Sequence, residues 1–139
     1  PGGGTTDYAV AIFHEALSKG SFECFLSSAT KMPMMYMDDA IQATIQIMQA
    51  EGDALSIRSS YNLAAMSFTP AALAVEIRKQ LPDFTITYAP DSRQQIADSW
   101  PASIDDSEAR RDWGWQPQYD LAQMTVAMLD NLKNHPDFI

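Results

Sequence analysis

The first seven residues, Pro-Gly-Gly-Gly-Thr-Thr-Asp, have the composition of a loop that could bind a small anion. Glycines at 2–4 let the backbone approach a ligand closely, and the N–H groups that begin a helix favour a carboxylate or a phosphate. Thr5 and Thr6 add two hydroxyl donors, whereas Asp7 could simply cap the following helix. Three glycines exceed what a cap needs, so both a small-anion site and a plain turn stay open.

The sequence contains few other residues that could do chemistry. Cys24 is the single cysteine, so a disulfide within the chain is excluded, and its apolar neighbours predict a buried strand thiol. His14 and His135 lack the spacing of a two-histidine metal pair. The side chains of adjacent aspartates, at 38–39 and 105–106, diverge, which favours helix capping over acid–base catalysis or metal binding. We therefore predict no catalytic residue and no metal ligand in this chain.

Aromatic and basic side chains stand out in the polar segment 89–107 and just beyond it. Trp100 either anchors this segment on the core or forms the wall of a pocket. Trp113 and Trp115 flank a glycine and are expected to pack on the core. Arg93 is either a cation over the pocket or a surface residue, and the sequence does not distinguish the two.

Composition limits the possible partners. The chain has 139 residues, of which 46% are hydrophobic and 19% charged, as expected for one folded domain. Nine basic residues against eighteen acidic ones give a net charge of -9, which repels nucleic acids and anionic membrane surfaces. No apolar run approaches bilayer length and no signal peptide is predicted, so we expect a cytoplasmic location and no membrane partner.

The hydrophobic pattern predicts a small mixed α/β domain of five helices and four short strands. Gly20 suits the end of the first helix, and the second helix carries Ile41, Ile45 and Met48. Neither the G-x-G-x-x-G dinucleotide fingerprint nor a P-loop occurs, so no cofactor-binding residue is predicted here. The helices are expected at 5–19, 38–52, 69–81, 106–112 and after Asp120, and the strands near 22–26, 34–37, 60–68 and 84–88.

Three longer stretches resemble the NAD-dependent epimerase/dehydratase family, the extended short-chain dehydrogenases. They are MMYMDDAIQATI, YNLAAMSFTPAALAVEI and IADSWPASIDDSEARRDWGWQP. Within that family, PGGGTTDYAVAIFHEAL and SWPASIDDSEARRDWGW are most similar to the branch of short-chain L-threonine 3-dehydrogenases. The resemblance implies that residues 1–139 are a C-terminal substrate-binding domain, a fragment of a longer chain, without the Rossmann dinucleotide-binding domain.

The resemblance also implies a site. Gly4, Thr5 and Thr6 would grip L-threonine or a related small amino acid, and Trp100 would line the same pocket. The family's NAD-binding glycines and its catalytic Ser/Thr, Tyr and Lys lie upstream, and no Tyr-x-x-x-Lys occurs here. NAD would then be bound by the missing N-terminal Rossmann domain, this chain alone would be inactive, and the full-length protein would be a homodimer.

Two alternatives stay open. The chain could be the C-terminal part of a sugar-nucleotide epimerase or dehydratase, although Met32-Pro33 stands where that family customarily has an arginine. It could instead be a non-catalytic module that binds a small acid or a partner. An exposed sheet edge or apolar face is expected where a Rossmann domain packs, whereas a complete small protein would have a polar face there.

Overall fold

The structure is a computed structural model and describes residues 4–135. Helices and short strands are mixed along this range. Gly2 and Gly3 of the predicted anion loop lie outside the described residues. The helices are α1 (Tyr8–Lys19), α2 (Met37–Gln49), α3 (Pro70–Gln80), α4 (Arg93–Asp98), α5 (Ser107–Trp113) and α6 (Leu121–Asn134). The strands are β1 (Ser21–Cys24), β2 (Met32–Met34), β3 (Met66–Phe68) and β4 (Thr85–Tyr88), and a short 3-10 turn covers Gly52–Ala54.

The strands form two separate pairs. Strands β1 and β4 are parallel, with Phe22 opposite Ile86, whereas β2 and β3 are antiparallel, with Pro33 opposite Ser67. Parallel strands need a long crossover, and here the chain between β1 and β4 contains β2, α2, β3 and α3. The predicted mixed α/β class is confirmed.

Local signals at helix ends are confirmed where the sequence showed them. Gly20 ends α1 with φ 69°, a left-handed conformation that favours glycine, and its N–H donates to the Ala16 carbonyl at 3.2 Å. At the start of α3, the Thr69 hydroxyl accepts from the Ala72 N–H at 3.2 Å, and Pro70 takes the first helical position. Of these two helices, α1 packs on β1, and α3 packs on α1 and α6.

The core has a large and a small part. The large cluster joins α1, α3 and α6 to the strands, and includes the fully buried Ile12, Phe13 and Cys24. Cys24 is buried, as predicted for a strand thiol. Burial raises the pKa of this thiol. The small cluster consists of Ala43, Ala109 and Trp115, whose indole N–H donates to the Ala64 carbonyl at 3.0 Å.

The predicted secondary structure is wrong at two places, a shifted strand and a helix that was not expected. The strand predicted at 34–37 lies at Met32–Met34, because Met37 already begins α2. Segment 89–107 was expected to be a loop, yet it contains α4. Helix α4 is six residues long and buries only Ala97, so it leaves no apolar stripe in the sequence.

The capping prediction for the aspartate pairs is wrong at α2 and is confirmed at α5. Tyr36 occupies the N-cap position of α2, and Asp39 is buried within the first turn, where its carboxylate accepts from the N–H groups of Gln118 and Tyr119 at 2.8 and 3.2 Å. Asp39 therefore ties α2 to the segment that enters α6. At α5 the Asp105 carboxylate accepts from the N–H of Ser107, the first helical residue, at 2.9 Å. Asp106 occupies the N-cap position, and its carboxylate pairs with Nε of Arg110 at 2.7 Å.

Candidate functional site

The glycine–threonine loop turns back on itself before α1 begins. The Gly4 N–H donates to Oδ2 of Asp7 at 2.9 Å, and the Asp7 N–H donates to the Gly4 carbonyl at 3.3 Å. A Cβ on residue 4 would lie 2.8 Å from Oδ1 of Asp7, so the Asp7 carboxylate would have to shift to admit a side chain there. The Gly4 N–H is thus engaged by Asp7, and an anion would have to use other donors of the loop.

The two threonines supply those donors. Thr5 is buried, with 7% of its surface exposed, and Thr6 is half-buried. Neither hydroxyl forms a hydrogen bond with another residue in the range 4–135, whereas the Thr6 carbonyl accepts from the Ala9 N–H at 3.0 Å and so begins the helix. The loop therefore presents two hydroxyls beside the positive end of a twelve-residue helix.

A cleft of about 480 Å³ opens beside this loop. Its walls come from the first two turns of α1, from the segment after β1 and from the start of α4. The lining residues are Asp7, Val10, Ala11, His14, Glu15, Phe25 and Arg93. The structure thus places the end of the loop and His14 on one concave surface, with both acidic and basic side chains.

Arg93 forms one wall of the cleft. Its guanidinium carbon lies 3.2 Å from the centre of the Phe25 ring, and Asp91 holds the guanidinium through an N–O contact of 2.6 Å. The hydrogen bond from Arg93 holds the pKa of Asp91 below its usual range. The structure therefore places Arg93 at the wall of a cleft, where its charge is already paired with Asp91.

Sequence reasoning missed Phe25, which was assigned only to a strand and in fact follows β1. Tyr8 packs against Phe25 edge to face, with ring centres 6.5 Å apart and planes at 84°. Phe25 and Arg93 are far apart in sequence, and no local pattern marks a pair that only the fold brings together.

Tyr8, the first residue of α1, places a buried phenol next to the loop. Its side chain is fully buried, and its hydroxyl has no hydrogen-bond partner among the described residues. Burial, with a smaller contribution from Cys24, raises the pKa of Tyr8 well above its ordinary value. A phenol whose pKa is raised in this way stays protonated at neutral pH.

Trp100 lies outside the cleft. It follows α4 by two residues, its N–H donates to the Ala97 carbonyl at 3.1 Å, and 44% of its surface is exposed. Trp100 therefore does not anchor its segment in the core, unlike the fully buried Trp115. The place of Trp100 in a substrate pocket stays a prediction.

Two further findings concern metal binding and membrane crossing. Between residues 4 and 135, no group of three or more His, Cys, Asp or Glu side chains is placed to hold a metal ion. In the same range, none of the helices has the length and apolar character needed to cross a membrane.

Known proteins resemble the chain along almost its whole length. No family model matches it. It is 58% identical over 131 residues to the mitochondrial L-threonine 3-dehydrogenase of Sus scrofa, covering 94% of this chain and 35% of that protein. An uncharacterized epimerase/dehydratase of Staphylococcus haemolyticus is 54% identical over 130 residues, which are 93% of this chain and 41% of that protein.

Solved structures give the same result. The GalE-like L-threonine dehydrogenase from Cupriavidus necator superposes with a TM-score of 0.91 and 60% identity, covering 95% of this chain and 48% of that one. The chain thus spans less than half the length of each of these relatives. In sequence and in fold it is therefore similar to the C-terminal part of L-threonine 3-dehydrogenases and of epimerase/dehydratase proteins.

Proposed function

We propose that this chain is the substrate-binding domain of an NAD-dependent L-threonine 3-dehydrogenase, residues 1–139 forming its C-terminal part. The observation that carries the proposal is the 58–60% identity to threonine dehydrogenases over about 95% of the chain. The reaction removes a hydride from the β-carbon and a proton from the β-hydroxyl of L-threonine. The products are 2-amino-3-ketobutyrate and NADH.

The loop before α1 suits the carboxylate of that substrate. In the proposed complex, the hydroxyls of Thr5 and Thr6 donate to the carboxylate, and the N-terminus of α1 favours its negative charge. Gly4 contributes to the shape of the loop and does not donate to the ligand, because its N–H is held by Asp7. Trp100, which lies outside the cleft, is proposed as a further pocket residue on the family resemblance alone, and its exposed indole is available for contact.

The residues of this chain do not fit the cofactor. Its sequence has no glycine-rich fingerprint that follows a strand and opens a helix, and no Tyr-x-x-x-Lys pair to take the substrate proton. We therefore assign NAD binding and proton transfer to an N-terminal Rossmann domain in the same protein. On this proposal the present chain binds and orients the amino acid but is inactive alone.

The test is NADH formation, followed at 340 nm, by the protein that contains this chain and its upstream region. We expect turnover with L-threonine and none with a UDP-sugar. Conversion of the UDP-sugar instead would assign the chain to a sugar-nucleotide epimerase or dehydratase. It is followed by chromatography of the sugar nucleotide, because these reactions are redox-neutral overall and accumulate no NADH. Binding of small acids without turnover by the longer protein would favour the non-catalytic module.

Two properties of the whole protein belong to the same proposal. We expect a homodimer, which the mass of the longer protein in solution would test. We also expect a cytoplasmic location, although the Sus scrofa relative is named as mitochondrial, and fractionation of the source cells would decide between the two.

A further inference from the structure

Gln94, in the first turn of α4, joins two segments that lie far apart in the sequence. Its Oε1 accepts from the Ser27 N–H at 2.8 Å, and its Nε2 donates to Oγ1 of Thr30 at 3.0 Å. Thr30 has only 8% of its surface exposed, and its hydroxyl lies 2.8 Å from that of Ser27. The amide of Gln94 thus completes a partly buried network at the turn that follows β1.

The turn that Gln94 binds is itself held in place. The Thr30 N–H donates to the Ser27 carbonyl at 3.2 Å, which closes the turn. The Ala71 N–H, in the first turn of α3, donates to the Ser28 carbonyl at 3.1 Å. Leu26, which leads into the turn, is fully buried in the large cluster. Gln94 therefore connects α4 to a part of the molecule that α3 and the core fix.

Helix α4 depends on such a connection. It has six residues, buries only Ala97, and has no side-chain hydrogen bond at its N-cap position. Helices of this length are unstable without tertiary contacts. Arg93 supplies one contact by lying over the Phe25 ring. Gln94 supplies a more directional one, because the partly buried Ser27 N–H would lose its acceptor if α4 moved away.

Two side chains of the proposed amino acid site move with α4. Arg93 precedes Gln94 and forms a wall of the cleft that Asp7 of the loop also lines. Trp100 is attached to the end of α4 through the hydrogen bond from its N–H to the Ala97 carbonyl, at 3.1 Å. The location of α4 therefore determines where both side chains lie.

We propose that Gln94 is a positioning residue for the amino acid site: it fixes α4 on the turn after β1 and acts through Arg93 and Trp100 instead of contacting the ligand. The inference rests on the proposed function for the identity of that ligand, L-threonine. The placement of α4 by Gln94 does not depend on it.

The test compares Gln94→Leu with Gln95→Leu in the protein that contains the upstream region. Both variants replace a glutamine of α4 by an apolar side chain of similar size. Gln95 is the matched control, because its side chain is exposed and has no hydrogen-bond partner within residues 4–135. Initial rates of NADH formation give the kinetic constants.

We expect Gln94→Leu to raise KM for L-threonine about 10-fold or more, because misplacing positioning groups by about 1 Å is that costly. The value of kcat at saturating threonine and KM for NAD should change less than about twofold, since the lost contacts hold the amino acid equally before and during the reaction. Gln95→Leu should leave all three constants near their native values. Equal threonine KM values in the two variants would overturn the proposal.

Trp100 gives a second readout that needs no substrate. Its emission is the difference between each protein and the same protein carrying Trp100→Phe. We expect stronger acrylamide quenching and lower anisotropy of this emission in Gln94→Leu than in Gln95→Leu, because α4 has lost an anchor. Trp100 emission that is the same in both variants would overturn the positioning role.

The two readouts separate the proposals from each other. A protein that does not oxidise L-threonine would overturn the proposed substrate, and altered Trp100 emission in that protein would still support Gln94 as the residue that positions α4. If Gln94→Leu fails to fold, Thr30→Val decides in its place. It removes the hydroxyl that accepts from Gln94 and should change both readouts in the same direction, whereas native values would overturn the proposal.

Discussion

At the scale of single residues, the loop before α1 combines a structural and a proposed binding role. Asp7 and Gly4 satisfy each other, which is the turn-and-cap interpretation. Thr6 has no partner for its hydroxyl within residues 4–135, and it is the residue on which the binding interpretation depends. The plain turn therefore accounts for Gly4 and Asp7, whereas the small-anion site now depends on Thr6.

The first prediction concerns Thr6. In the protein with its upstream region, Thr6→Ala should raise KM for L-threonine about 10-fold or more, because a hydrogen bond to a charged group contributes about 1.5–3 kcal/mol. KM for NAD should change little. Thr87→Ala, on the exposed side of β4, is the control and should leave both constants near their native values. An unchanged threonine KM in Thr6→Ala would contradict the assignment of the loop.

At the scale of elements, sequence reasoning succeeded where a local signal existed. Helices α1 and α3 were predicted because Gly20 and Thr69-Pro70 mark their ends. Helix α4 was not, since its burial depends on Ala97 alone. Within the candidate site, the loop could be predicted from its composition, whereas the contact of Phe25 with Arg93 exists only because β1 and α4 meet in the fold.

The second prediction tests how α2 is attached. Asp39→Ala should lower the free energy of unfolding by roughly 2–4 kcal/mol, because two backbone N–H groups before α6 would lose a buried charged acceptor. Asp38→Ala is the matched control: Asp38 is adjacent, exposed and in the same helical turn, so its loss should cost little. Urea denaturation gives both values. Equal losses would show that Asp39 does not attach the helix.

At the scale of the whole molecule, the small cluster depends on a polar network beside it. The Asp112 carboxylate accepts from the Ser56 hydroxyl, from the Ser56 N–H at 3.0 Å and from the Tyr61 hydroxyl at 2.6 Å. It connects the end of α5 with the long segment before β3. The hydrogen bonds from Ser56, and then from Tyr61, hold the pKa of Asp112 far below its usual range.

The third prediction follows from this pKa. A carboxylate whose pKa is lowered by folding stabilises the native state above its unfolded pKa of about 4, and the stabilisation is lost as the pH falls further. Asp112→Asn should therefore have a lower urea midpoint than the native protein at pH 7, and the difference should narrow below pH about 4.

The control for the third prediction is Asp53→Asn, at an exposed position in the 3-10 turn. The urea midpoint of Asp53→Asn should equal that of the native protein at every pH. A difference between Asp112→Asn and the native protein that stayed constant down to the lowest pH at which both are folded would show that the charge of Asp112 is not what stabilises the network.

The contrast between the tryptophans provides an optical probe of the proposed site. Trp100 is 44% exposed at the far end of α4, whereas Trp115 is sealed in the small cluster. Acrylamide should quench the emission of Trp100 and leave that of Trp115 nearly intact. A ligand that closes over the loop should shield Trp100 and shift its emission to shorter wavelength, so occupancy could be titrated without a label and without turnover.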